Sequence, residues 1–202
     1  SGTHTNSITT PPKWVGRDLR TDVKEIWGSH YNIFVLFHDG ELWGCGLNNY
    51  GQLGIGHTTD SSGGLHRYGR WYKPILPGPV DTLFIGWSDS STATAMPAFA
   101  LLEDGRLYAW GHSYYGCLGL GNTNTANATP MQVPGLPTTT RIKKIVMNPA
   151  GGALWHTHLL MEKGEVWNTG YNGYGQLGNG TKVDQNVFGK RATNSPAKDI
   201  WA

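Results

Sequence analysis

One long pattern recurs three times in unbroken register, over Asp39–Gly56, Asp104–Gly121 and Lys163–Gly180. The matching positions are Gly40, Gly105 and Gly164; Trp43, Tyr108 and Trp167; Gly46, Gly111 and Gly170; Tyr50, Tyr115 and Tyr174; Gly51, Gly116 and Gly175; Leu53, Leu118 and Leu177; and Gly54, Gly119 and Gly178. Gly46, Gly111 and Gly170 lie 65 and 59 residues apart. Repetition over that length marks one supersecondary unit that cannot cover its own apolar face and stacks on its neighbours. Whatever the chain does is then done from the surface of a stack.

Each copy reads as a β-hairpin. Ile33–Phe37 is an apolar run of strand length, His38-Asp39-Gly40 a turn, and Glu41-Leu42-Trp43 the return. Ala98–Leu102 with Asp104-Gly105, and His158–Met161 with Lys163-Gly164, repeat it. Short β-branched and aromatic runs on either side of such a turn predict hairpins, with cores near 33–56, 98–121 and 158–180. The tail Tyr-Gly-x-Leu-Gly-x-Gly reads as geometry, because glycine permits positive φ and close backbone approach. A fainter repeat precedes the hairpins at Val23–Trp27, Val80–Phe84 and Ile142–Val146, with a fourth copy at Ala197–Trp201. Upstream lie proline segments at Pro12–Val15, Pro74–Pro77 and Pro130–Val133. Proline segment, short strand, hairpin and glycine loop make three or four short strands per unit, which predicts an all-β chain of propeller blades.

Asn48-Asn-Tyr-Gly-Gln-Leu-Gly54 and Asn172-Gly-Tyr-Gly-Gln-Leu-Gly178, each behind an apolar run and a Gly-x-[Leu/Val]-Trp stretch, resemble the repeat of the regulator of chromosome condensation family. The second copy departs from that pattern at His112-Ser113 and Cys117. The resemblance covers about residues 12–201, so residues 1–11 read as a flexible N-terminal segment and 12–202 as a single propeller-like domain. It implies one four-stranded blade per repeat and enlarged loops, since the spacing exceeds the family's usual repeat. Closed propellers carry roughly 4–8 blades. Three are too few, so the expectation is an oligomer, or a part of a longer chain. For function the resemblance implies a protein-binding platform; family members serve in guanine-nucleotide exchange, chromatin docking and inhibition of bacterial enzymes.

A net charge of +2 with 15% charged residues argues against nucleic acid as a partner. No apolar run is long enough to span a membrane as a helix. Cys45 and Cys117 are not equivalent positions, and a disulfide between them stays open. Asn127-Ala-Thr129 and Asn179-Gly-Thr181 are glycosylation sequons, relevant in a eukaryotic secretory route. No cofactor motif is present. His156 and His158 share one face of a strand and are weak metal candidates, because a third ligand with suitable geometry is missing from the pattern. No spaced carboxylate pair repeats, so acid–base catalysis has no support and the chain reads as non-enzymatic.

Individuality lies in the loops. His66, Arg67, Tyr68, Arg70, Trp71, Tyr72 and Lys73 interleave cations with aromatics, the side chains that dominate binding hot spots. The competing reading packs Trp71 and Tyr72 against the blade beside Pro74 and leaves the cations in water. Tyr50, Tyr115 and Tyr174 are expected to pack between blades. The leading expectation is a recognition or assembly module that binds a protein or cell-surface glycan through its loops. Neutral, Thr- and Asn-rich composition favours an extracellular or virion-surface setting over a nuclear one, with a phage tail or receptor-binding component as the concrete version. The alternatives are guanine-nucleotide exchange on a small GTPase, and a purely structural subunit of a larger assembly.

Overall fold

The computed structural model describes residues 20–29, 31–58, 70–86, 96–148, 155–193 and 195–201. Residues 1–11, the Pro12–Val15 segment, His66, Arg67 and Tyr68 lie outside them. The described residues form three antiparallel sheets in chain order. The first holds β1 (Val23–Gly28), β2 (Asn32–Phe37) and β3 (Leu42–Gly46). The second holds β4 (Val80–Ile85), β5 (Pro97–Leu102), β6 (Leu107–Gly111) and β7 (Asn127–Gln132). The third holds β8 (Ile142–Asn148), β9 (His156–Met161), β10 (Val166–Gly170) and β11 (Gln185–Arg191). In the first sheet the fourth place is taken, among the described residues, by Tyr72, which exchanges two 2.8 Å backbone hydrogen bonds with Gly44. No helix of the described residues is long and apolar enough to cross a membrane.

The period of two along a strand explains the stacking. Phe34 and Leu36 on β2 point to the second blade and meet Val80, Leu83, Ala98 and Trp110 in one core. Phe99 and Leu101 on β5 point onward and meet Ile145, Leu159 and Phe188 in another. The middle strand β5 is buried along its whole length, covered on both faces, and Ala98, Ala100 and Ala109 let its neighbours approach. Full burial of Phe34 or Leu36 stabilises the stack by about 1.5–3 kcal/mol each.

The glycine tails are close-approach devices. A Cβ on Gly51 would stand 2.4 Å from Ala128 Cα, and one on Gly116 would stand 2.4 Å from Asn186 Cα. Both glycines have φ of +77°. Each tail leans onto the outer strand of the next blade, where Gly56 N–H donates to Ala128 O (2.9 Å) and Gly121 N–H to Asn186 O (2.7 Å). In the third tail nothing lies within 4 Å of a Cβ built on Gly178 or Gly180.

Two sequence expectations are corrected. Pro130 does not open a new unit; it lies on β7, the outer strand of the second blade. Proline has no N–H to donate and is tolerated at a sheet edge. Ala197–Trp201 is not a strand. It occupies the place of a fourth entry strand: Ala197 N–H donates to Gly164 O as Val80 N–H does to Gly40 O, both at 2.9 Å. Lys143 Nζ likewise reaches Lys198 O as Lys24 Nζ reaches Asp81 O, both at 2.7 Å. Among the described residues, however, no strand runs beside it to form a ladder, and Trp201 is 79% exposed.

Candidate protein-interaction surface

Residues 70–73, the described part of the cation–aromatic segment, run beside β3 of the first blade, where Tyr72 makes the one bridge to that strand among the described residues. Tyr72, bridged to Gly44, packs against the first core. Lys73 pairs with Glu41 and holds its ammonium 5.0 Å from the ring centre of Trp43. Arg70 is exposed. The fold thus divides the segment: Tyr72 packs as the bland reading has it, Lys73 is ion-paired, and Arg70 faces water.

Glu41 is the hub of a charge network. Its Oε2 accepts from Arg20 Nη1 (2.9 Å) and Trp43 Nε1 (3.2 Å), and its Oε1 from Lys73. Arg20 also pairs with Asp22, and with Asp39 at 2.9 Å, and its guanidinium lies 3.9 Å from the ring centre of Phe37. The bond from Arg20 holds the Asp22 carboxyl below the usual carboxylate range. Burial pushes Asp39 up, but the Glu41 N–H and Arg20 outweigh it and its pKa also falls. Both stay charged, so the network suits electrostatic recognition and not proton transfer. A cleft of about 390 Å³ beside it, lined by Glu41, Lys73, Pro74 and Pro79 among others, runs along the boundary of the first two blades.

At the loop end of the stack a chain of rings crosses all three blades. Tyr50 meets His112 edge-on at 4.7 Å, Tyr114 lies 4.7 Å from His112, and Tyr115 lies 4.9 Å from Tyr171. His112 and Tyr171 are equivalent positions, so Tyr50 and Tyr115 make the same contact with the following blade. The expected inter-blade packing therefore holds for these two. Tyr174 is 76% exposed and lies 6.1 Å from Tyr171 of its own blade. His112 is buried, its Nδ1 has no hydrogen-bond partner, and burial pushes its pKa down to about 4. Sequence reasoning noted it only as a departure from the repeat.

His156 and His158 lie with ring centres 4.9 Å apart. His158 sits at the repeat position of Phe34 and Phe99, and its Nδ1 is 2.8 Å from Asn168 Oδ1. Burial lowers its pKa against that bond, and His156 and Arg191 lower it further. Among the described residues no three His, Cys, Asp or Glu side chains are grouped to hold a metal ion. Cys45 and Cys117 are not bridged; Cys117 is buried, and burial pushes its thiol up to about 12. The sequon residue Asn127 is 6% exposed and donates to Gly111 O at 3.3 Å.

Three inter-locked four-stranded or near four-stranded sheets with glycine tails define a β-propeller segment of the RCC1 type. The model of the regulator of chromosome condensation (RCC1) repeat matches residues 39–76 and 104–151, so these two segments carry that repeat. The chain is 31% identical over 163 residues to the ultraviolet-B receptor UVR8 of Arabidopsis thaliana, covering 80% of this chain and 32% of that protein. It is 32% identical over 149 residues to the human probable E3 ubiquitin-protein ligase HERC4, covering 74% of this chain and 12% of that one. The chain thus spans a third or less of these relatives. Among solved structures, yeast RCC1 (Prp20), crystallised with Kap60 bound, superposes with a TM-score of 0.68 at 18% identity, over 92% of this chain and 41% of that one; at that identity the likeness concerns the fold.

Proposed function

We propose that this chain is a non-enzymatic recognition or assembly module that holds a protein partner at the rim of its first blade. One observation carries the reading. Where the second and third blades have β7 and β11, the described residues of the first have one bridge at Tyr72, and the residues around it present Arg70 and Lys73 beside the Glu41 network. An exposed arginine beside paired charges suits a protein interface, where Arg is enriched and the rim is polar. The Kap60 complex of yeast RCC1 supports a protein as the partner class. Capture by the intact chain, followed by measured affinity for the captured protein, tests it. The double variant Arg70→Ala with Trp71→Ala loses roughly tenfold or more in affinity; unchanged affinity removes this rim from the interface.

Guanine-nucleotide exchange is the second reading, and it draws on the family alone. Nucleotide release from purified small GTPases decides it, and no acceleration is expected. A purely structural subunit would be an obligate oligomer by mass photometry at low concentration, whereas a stable monomer argues against it. The finer assignments to a virion surface, a tail component or an extracellular setting rest on composition alone, and fractionation of the source cells tests them.

A further inference from the structure

The second repeat breaks its own pattern at one turn, and a cleft opens there. In the first and third copies a glutamine shapes the loop: Gln52 Oε1 accepts the Tyr50 N–H (2.8 Å), and Gln176 Oε1 accepts the Tyr174 N–H (2.9 Å). The second copy has Cys117 there, which has no carboxamide oxygen. Its loop winds into a short 3-10 turn at Tyr114–Gly116, and Tyr115 takes φ +53°, ψ +17°. Tyr115 is the one non-glycine residue at positive φ among the described residues. Backbone held in such a sparsely populated region points toward function. Tyr114 is also particular to this copy, replacing Asn49 and Gly173.

The two tyrosines, with rings 5.5 Å apart, form one wall of a cleft of about 430 Å³ at the boundary of the second and third blades, completed by Thr123, Thr125, Asp184 and Asn186. That is within the roughly 300–1,000 Å³ of small-molecule sites. Its polar groups are only partly used. Asp184 accepts from Asn172 N–H through Oδ1 (2.7 Å), leaving Oδ2. Asn186 donates to Gly121 O through Nδ2 (3.0 Å), leaving Oδ1. The threonine hydroxyls have no hydrogen-bond partner among the described residues. The lining has no lysine or arginine, which disfavours an anion. A cation would use the ring faces and acceptors but not the hydroxyl donors.

We infer that this cleft binds a neutral saccharide ring, its C–H face stacked on Tyr114 and its vicinal hydroxyls bonded to Asp184, Asn186 and the threonines. A sugar hydroxyl donates and accepts at once, so one ring satisfies every group left open. The site lies on a different pair of blades from the protein rim and stands independently of it.

Saturation-transfer NMR and calorimetry on the intact chain, with uncharged hexoses, N-acetylhexosamines and their disaccharides as probes and choline and inorganic phosphate as comparators, test the inference. At least one saccharide binds. Tyr114→Ala weakens it about tenfold, the scale of one lost stacked ring. Tyr114→Phe retains binding, because it keeps the ring face. Asp184→Asn weakens binding while keeping an acceptor for Asn172. Tyr31→Ala, on the first blade, changes nothing. Thermal unfolding of each variant confirms that it is folded. Binding of choline in preference to every saccharide overturns the assignment, as does binding insensitive to Tyr114→Ala. Failure of all saccharides to bind at tens of millimolar overturns it equally.

Discussion

Trp110 donates its indole N–H to the backbone oxygen of Gln52 at 2.8 Å, and both residues are completely buried. The bond ties β6 of the second blade to the glycine loop of the first. Thr169, at the same repeat position in the third blade, donates to Gly116 O at 3.0 Å and so ties the third blade to the second. Thr157 donates to Cys117 O at 2.8 Å across that same boundary, so each boundary has an apolar core and at least one buried polar pin.

Trp110→Phe removes the pin while keeping most of the ring. Gln52 O loses its indole donor in a dry setting, and the cost is about 1–3 kcal/mol. Chemical denaturation measures it as a lowered midpoint at unchanged slope. A midpoint equal to that of the unaltered chain would mean that the bond is replaced at no cost.

Two glycines of one motif answer differently to alanine. Gly116→Ala puts a methyl 2.4 Å from Asn186 Cα at φ +77°, so overpacking of about 1–3 kcal/mol adds to the left-handed backbone penalty of about 1–2 kcal/mol. Gly178→Ala meets nothing within 4 Å and carries only the backbone penalty. The ordering of the two unfolding midpoints checks this, and equal midpoints contradict the close-approach reading.

His112 makes stability fall with acid. Its folded pKa, near 4, lies below the ordinary value, so the unfolded chain takes up a proton first as pH drops. Above pH 6.5 both states are neutral and the effect is nil. Between pH 6.5 and 4 stability declines, by at most about 3 kcal/mol, and below 4 this contribution levels off. His112→Phe flattens that limb. His158, also held down by burial, leaves a smaller residual slope. A profile of stability against pH identical to that of the unaltered chain would refute the buried neutral imidazole.

Trp27 and Trp201 occupy one repeat position with opposite surroundings. Trp27 packs against the first core, and Trp27→Ala costs about 3 kcal/mol. Trp201 is 79% exposed, with Lys144 Nζ 5.5 Å from its ring centre. Trp201→Ala costs less than about 1 kcal/mol, again by denaturant midpoint.

The hairpins were legible because Asp-Gly turns and apolar runs are local signals. That the tail glycines serve close approach was legible too. Their partners, Ala128 and Asn186, were not, since nothing local links Gly51 to a residue far along the chain. Ala197–Trp201 carries the strand pattern without being a strand, because a ladder needs a neighbour that a pattern does not contain. Pro130 read as punctuation for a related reason, as its edge position depends on β6. At the candidate rim, residue types were readable from Arg70 to Lys73, but the capture of Lys73 by Glu41 is a product of the fold. In the second loop the substitutions His112, Tyr114 and Cys117 were visible as departures. Only coordinates join them to Asp184 and Asn186.

The forward lean of the glycine tails makes completeness a loan between neighbours. β7 lies under the tail of the first blade and β11 under the tail of the second. The blade on which no described tail rests is the one whose described residues supply Tyr72 alone beyond β3. A single unit cut from this array would keep its hairpin and surrender its rim, so the smallest self-sufficient piece is a pair.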